Sequence, residues 1–316
     1  MKPKILYIDP AHPYMEQELI ALGYEIDKTN MTYADLLPVA HQYTGYVVRS
    51  KFAIDKQLID CSENLQFIAR IGAGMENIDT EYAKTKNIHC LHSPEGNADA
   101  VAEFSIAQIL NLLRHSQQAD KEVKNGIWDR KNNMGFELGS QHIGIIGYGT
   151  MGKNIAHKLS VFGCNILVHD KFKSNFGSKN IQEVPLQEIW EKADIVSLHI
   201  NYLPENHYYV NESWLQSFHK NIYLINTSRG KILNTADLVQ AIKKGKVKAA
   251  ALDVLEYENI RLQNKAIEDW DEAMHYLAQS PKVILSPHIA GQTFEAMEKH
   301  ARILVQKIKS EVLKIS

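Results

Sequence analysis

Residues 142–152 read HIGIIGYGTMG. An apolar run, Ile143 to Ile146, leads into Gly147-x-Gly149-x-x-Gly152. Strand, glycine turn and helix in that order let backbone N–H groups close on a dinucleotide pyrophosphate. Gly147 is expected to make the tight turn, Gly149 to allow close approach, and Gly152 to pack helix on strand. The spacing alone is weak evidence; its surroundings sharpen it. "KNIAHKLSVFG" follows with a helical pattern, and the next apolar run, "CNILVHD", ends in Asp170. That is about 20 residues past the turn, where a carboxylate accepts hydrogen bonds from the adenosine ribose. It would also repel a 2′-phosphate, which favours NAD over NADP. Lys171 and Lys173 work against that preference.

Nearly half of the chain precedes this turn. With 316 residues the sequence exceeds one comfortable core, which predicts two domains. A formal net charge of -2 gives no basic field for nucleic acid or anionic lipid. No apolar run approaches the length of a membrane span. The start, "MKPKILYIDP", has too short an apolar run for a signal peptide and reads as a first strand. Cys61, Cys90 and Cys164 are isolated and odd in number. They predict a reducing, cytoplasmic setting with no disulfide framework and no metal site.

Short strands alternate with longer helices throughout. Before the turn, "KILYID", "YEID", "GYVVRS", "LQFIARIG" and "IHCLH" read as strands, with "PYMEQELIALG" and "DKQLIDCSEN" as helices between them. After it come "CNILVHD", "DIVSLHI", "NIYLINTS", "AAALDVL" and "KVILSPH", each apolar enough to be covered on both faces. The alternation predicts an α/β chain with two doubly wound parallel sheets. Two long helical patterns bracket the second unit: "NADAVAEFSIAQILNLLRHSQQADKEVKNG" and the terminal "TFEAMEKHARILVQKIKSEVLKI". The second sheet is complete before the terminal helix, which is therefore expected to cross back to the first domain. The predicted domains are residues 1–97 with 291–316, on the substrate side of a cleft, and residues 98–290, which bind the dinucleotide.

Three further strand ends carry polar chemistry. "INTSRGKILN" sets Arg229 just past a strand, where its planar fork can meet a substrate carboxylate. "ALDVLEYE" offers Asp253, Glu256 and Glu258, and "VILSPHIAGQ" offers His288. A His, an Arg and an acid at the strand ends of one nucleotide-binding sheet form a constellation for proton-coupled hydride transfer. His288 would take the hydroxyl proton, with a carboxylate behind it to hold the ring.

Taken together, "ARIGAGMENID", "SPEGNADAVAEF", "ELGSQHIGIIGYGTMG", "ADIVSLHI", "LINTSRG", "AAALDV" and "SPHIAG" resemble the D-2-hydroxyacid dehydrogenase family over almost the whole chain. The resemblance implies a split, flavodoxin-like substrate domain with an inserted Rossmann NAD domain. It implies a catalytic trio of Arg229, Glu258 and His288, the acid lying five residues after the strand Asp. Asp253 would then face the nicotinamide. It extends the NAD set beyond Gly147, Gly149, Gly152 and Asp170 to Thr150, Met151, His199, Ile200, Thr227 and Gly291. The substrate carboxylate would meet Gly72, Ala73 and Gly74, beside Ser50. Within the family, "VVRS", "ARIGAG" and "NGIWDRKNNMGFEL" are most similar to the phosphoglycerate dehydrogenases, and Arg49, Arg70 and Arg130 fall where that group has arginines near a substrate phosphate.

The same resemblance implies an acid pair such as 3-phosphoglycerate and 3-phosphohydroxypyruvate, as in serine biosynthesis. The alternatives are a hydroxypyruvate, glyoxylate or D-lactate-type reductase, and, from another class, an NAD-sensing corepressor-like binding protein. It implies a homodimer through the NAD domain, with helix "NADAVAEFSIAQILNLLR" suited to the interface. Two departures stand out: Asn259 where the family often has Pro, and a long stretch over 259–282 that is similar to lactate-type members. The chain ends after the closing helix, so a form without a C-terminal regulatory domain is expected.

Overall fold

In the computed structural model, which describes residues 2–258 and 269–315, two compact units are built from the alternating strands and helices. One takes residues 2–98 and 292–315, the other residues 99–258 and 269–291. Asn259 and the first part of the 259–282 stretch lie outside the described residues.

In the first unit β1 (Lys4–Tyr7), β2 (Glu25–Asp27), β3 (Gly45–Val48), β4 (Phe67–Arg70) and β5 (His89–His92) pair in the order β2-β1-β3-β4-β5, all parallel. Alternate residues point to opposite faces, so each strand feeds two cores. Leu6, Tyr46, Val48 and Ile68 pack into one core, and Ile5, Tyr7, Val47 and Phe67 into the other. The second of these cores is closed by Ala301, Leu304 and Val305 of the helix Phe294–Lys307. The sequence places these three near helical spacing, and Thr293 caps the helix by accepting the Ala296 N–H at 3.0 Å. The terminal helix thus covers the first sheet, although the first sheet lies at the other end of the chain.

The second unit holds β6 (His142–Ile146), β7 (Asn165–His169), β8 (Ile181–Glu183), β9 (Ile195–Leu198), β10 (Ile222–Asn226), β11 (Val247–Leu252) and β12 (Val283–Leu285). Their order is β12-β11-β10-β9-β6-β7-β8, again parallel throughout. Strand order reverses at β6, between β9 and β7, which is where doubly wound sheets open a crevice at their carboxyl ends. The motifs from the glycine turn onward end strands at that edge.

Two expectations are corrected. The pattern over 97–126 is two helices, Ala98–Arg114 and Ser116–Lys124, because His115 adopts a left-handed φ of 53°. The first helix buries Ala102, Ile106, Ile109 and Leu113 against the sheet; the second buries nothing, so no packing keeps the two coaxial. The other correction is β8, a strand that the apolar runs do not reveal. It has three residues, of which only Ile181 is buried, and it sits at the edge of the sheet.

Candidate active site

The turn after β6 is shaped by steric limits. Gly147 has φ 96°, and a Cβ there would lie 2.6 Å from the His199 carbonyl oxygen. A Cβ on Gly152 would lie 1.9 Å from the Gly147 oxygen. By contrast, nothing stands within 4 Å of the Cβ position of Gly149, which precedes the ten-residue helix Thr150–Leu159. Thr150 and Met151 form the first turn of that helix, where free N–H groups favour an anion. Crowding on two glycines and open space at the third make a cradle that fits a dinucleotide pyrophosphate.

Asp170 follows β7 and accepts the N–H groups of Tyr148 at 2.6 Å, Phe172 at 2.9 Å and Lys173 at 2.9 Å. Burial alone would raise its pKa; the three N–H donors and the Lys173 ammonium outweigh burial and hold the carboxyl below its ordinary range. Asp170 is therefore a fixed anion at the edge of the turn. His199 pairs through Nε2 with Ser197 Oγ at 2.8 Å, and its Nδ1 is buried with no hydrogen-bond partner among the described residues. Burial pushes its pKa down to about 4, so the ring is neutral at ordinary pH. Ile200 touches the same turn, its Cγ2 lying 3.0 Å from a Gly147 Cβ position. Thr227 stands on the next strand end with Oγ1 3.1 Å from Ser105 Oγ.

The three acids after β11 have separate tasks. Asp253 is 2% exposed. Its carboxylate accepts Ser286 O–H at 2.6 Å, Ile289 N–H at 3.0 Å and Ala290 N–H at 2.8 Å, while its carbonyl accepts His288 N–H at 2.8 Å. Burial pushes this carboxyl upward in pKa. Asp253 thus clamps the 286–290 loop, which leads into Gly291. Glu256 accepts the Thr235 N–H at 2.8 Å and the Tyr208 O–H at 3.0 Å, holding neighbouring loops. Glu258 is the one of the three whose carboxylate meets the histidine ring: Oε2 lies 2.7 Å from His288 Nδ1, and Oε1 accepts the Leu255 N–H at 2.6 Å. His288 has a left-handed φ of 56°, a conformation that costs a β-carbon residue energy and that its loop clamp maintains. With Nδ1 engaged by Glu258, Nε2 is the ring nitrogen left to meet a substrate.

Arg229 sits in the loop after β10, half-buried, with Nη1 donating to the Ser228 carbonyl at 2.7 Å. Its loop is built around Asn226, which is wholly buried. Asn226 accepts Ser228 N–H at 3.0 Å and Ser228 O–H at 2.7 Å, and donates to the Arg229 carbonyl at 3.1 Å. Asn226 and Ser286 are positioning groups that the motif reading passed over, although both lie inside the quoted motifs.

In the first unit, Asp9 gathers three consecutive N–H groups after β3, from Arg49 at 2.6 Å, Ser50 at 3.1 Å and Lys51 at 3.3 Å. It was legible only as an acid ending the first strand. Arg70 ends β4 and donates from Nη1 to the Ile71 carbonyl at 2.7 Å. The guanidinium occupies the space above Gly72, where a Cβ would lie 1.6 Å from Nη1, and Gly72 has φ 129°. Ala73 is tied through its carbonyl to His92 Nδ1 at 2.8 Å, and Gly74 completes the loop. Arg130, by contrast, is an exposed residue of the other unit.

Residues 106–290 match the family model described as D-isomer specific 2-hydroxyacid dehydrogenase, NAD binding domain. A glyoxylate reductase of Thermofilum pendens is 34% identical over 262 residues, covering 81% of this chain and 74% of its own. A D-3-phosphoglycerate dehydrogenase of Rattus norvegicus is 31% identical over 299 residues, covering 94% of this chain and 54% of its own. The chain thus spans about half the length of the phosphoglycerate dehydrogenases it matches. Among solved structures, a D-lactate dehydrogenase of Aquifex aeolicus, complexed with NAD and lactic acid, aligns with a TM-score of 0.83 and 27% identity. That alignment covers 98% of this chain and 96% of the other.

Proposed function

The chain belongs to the D-isomer specific 2-hydroxyacid dehydrogenase family, and from that membership we propose that it transfers a hydride between NAD and a D-2-hydroxy acid or its 2-keto acid. The observation that carries this reading is the 2.7 Å pair between His288 Nδ1 and Glu258 on the sheet edge that bears the glycine turn and Arg229. A bound nicotinamide supplies the hydride acceptor or donor. His288 Nε2 removes the hydroxyl proton in oxidation and returns it to the keto oxygen in reduction. Glu258 holds the ring so that Nε2 keeps its place. Arg229 binds the carboxylate and polarises the keto oxygen. Asp170 accepts the ribose hydroxyls, so NADH should be preferred to NADPH. The open Gly149 position and the helix N-terminus beyond it support the pyrophosphate site.

For the substrate, 3-phosphoglycerate and 3-phosphohydroxypyruvate are the favoured pair. Seven relatives named D-3-phosphoglycerate dehydrogenase, 30–32% identical to this chain, support it, as do the cations at the ends of β3 and β4, Arg49 and Arg70. On the Gly72–Gly74 loop, Ala73 and Gly74 would give the carboxylate its amides, while the Gly72 N–H is held by Ser93. The 34% identical glyoxylate reductase favours a second reading, with an unphosphorylated keto acid. NADH oxidation with phosphohydroxypyruvate, hydroxypyruvate, glyoxylate and pyruvate separates the two. Arg70→Ala should raise KM for the phosphorylated substrate by about one to two decades and alter glyoxylate turnover far less. Equal losses on both would remove the phosphate role.

The reading includes a homodimer through the second unit. Val123, Ile127, Trp128, Met134 and Phe136 are all more than half exposed, with Trp128 at 78%, on a segment whose helix buries none of its own residues. Exposed apolar surface, here with Val123, Ile127 and Trp128 lining one hollow, is ordinarily covered by a partner. These residues follow the Ala98–Arg114 helix rather than lie on it. Light scattering should give twice the chain mass, and Trp128→Glu should halve it.

A further inference from the structure

Behind the loop that carries Gly72 lies a buried polar chain that neither the trio nor the phosphate arginines use. Ser93, wholly buried just after β5, donates its N–H to the Gly72 carbonyl at 2.9 Å, and its Oγ accepts the Gly72 N–H at 3.3 Å. The same Oγ stands 2.8 Å from Nδ1 of His300, a 4% exposed residue of the helix Phe294–Lys307. The ring fills space left by Gly96, where a Cβ would lie 2.3 Å from Nδ1.

The donors and acceptors fix the direction of this chain. Ser93 Oγ already receives the Gly72 N–H, so its own hydrogen needs an acceptor, and His300 Nδ1 is the one in reach. His300 must then be neutral, with Nδ1 bare. Burial pushes its pKa down to about 4; the Ser93 backbone and Glu95 act against it, and the nearby Arg70 and Arg49 act with it. Were Nδ1 to carry a proton, two donors would face Oγ and the hydroxyl hydrogen would lose its partner. The Ser93 hydroxyl would then be held less firmly against the Gly72 amide.

We infer that His300 is a positioning residue: acting through Ser93, which holds the Gly72 N–H, it sets the orientation of the Ala73 and Gly74 amides that follow and so the affinity for the substrate carboxylate. This rests on the proposed activity, in which those amides receive the carboxylate. The role is specific to the acid, since no part of the chain Gly72–Ser93–His300 lies in the unit that carries the glycine turn.

The test compares wild type with Ser93→Ala, His300→Leu, His300→Asn and the Ser93→Ala/His300→Leu double variant. KM for the 2-keto acid should rise about 5- to 30-fold in Ser93→Ala and His300→Leu, as loss of a buried hydrogen bond with a stranded partner implies. KM for NADH should stay within about twofold. His300→Asn, which keeps an acceptor near the Nδ1 position, should recover most of the loss. The double variant should be no worse than the poorer single variant, because both cut one chain.

Two readings by nuclear magnetic resonance do not need turnover. Imidazole nitrogen shifts should report a bare Nδ1 on His300 at neutral pH. Exchange of the Gly72 amide should be slow in wild type and His300→Asn, and fast in His300→Leu. An unmoved keto-acid KM in an active His300→Leu enzyme overturns the inference, as does a Gly72 amide that exchanges equally in all variants. A parallel rise in both KM values that Asn does not rescue would make His300 merely structural. If wild type reduces no keto acid while the Gly72 amide keeps its protection, the activity reading fails and the hold on the loop stands.

Discussion

The two sheet edges that carry polar chemistry are held in different ways. At the edge of the second sheet, each functional side chain is braced by residues of its own or the next motif: Asn226 for Arg229, Asp253 for the His288 loop, Glu258 for the ring. At the edge of the first sheet the bracing comes from far along the chain. Asp9 fixes the amides of Arg49 to Lys51, and His300, 207 residues beyond Ser93, stands behind Gly72. Local bracing writes itself into motifs, whereas distant bracing leaves single polar letters inside otherwise ordinary strands and helices.

The sharpest way to break this contrast is at the proton. His288→Ala should lower kcat by about 10²–10⁴, the usual range for a general acid–base, with NADH affinity retained. A loss of NADH binding to the same extent would mean that the loop rather than the proton had been removed.

Next in size is the pair of glutamates two residues apart. Glu258→Ala should cost about 10- to 100-fold in kcat, because His288 loses its partner. Glu256→Ala should leave kcat within about threefold but lower stability by about 1–2 kcal/mol, since the Thr235 N–H and Tyr208 O–H lose their acceptor. Paired kinetics and urea unfolding would expose an exchange of these roles.

A separate effect, on acid stability, belongs to the first unit. The folded pKa of His300 is depressed from 6.5 to about 4, so the unfolded chain binds more protons between those values. Stability from this residue is therefore complete above about pH 6.5 and is lost as pH falls toward 4 and below, by about 3 kcal/mol in all. His300→Asn should flatten that part of the Tm against pH curve. An unchanged slope would show that the ring is not buried neutral.

Much of this was legible. Continuous apolar runs such as "GYVVRS" and "NIYLINTS" announced buried parallel strands, and the glycine turn with Asp170 placed the dinucleotide edge. The trio's acid was the harder choice, because "ALDVLEYE" offers three carboxylates and only the turn of the chain after Val254 decides which one meets His288. β8 escaped because a three-residue edge strand with one buried side chain has no period to read. The break at His115 escaped because nothing in "LLRHSQQ" is a glycine or proline. His300 reads as one polar residue on an amphipathic helix, and its task depends on a contact that no local pattern encodes.

The central claim, hydride transfer to the C2 carbon of a keto acid, is tested most directly by isotope. Wild-type protein is given 3-phosphohydroxypyruvate, and in a second arm glyoxylate or pyruvate, with NADH deuterated at both C4 positions. The account predicts one deuterium at C2 of the hydroxy acid product, and the D configuration wherever C2 is chiral. Product without deuterium, product of L configuration, or NADH that binds and is never oxidised by any of these acids would contradict it.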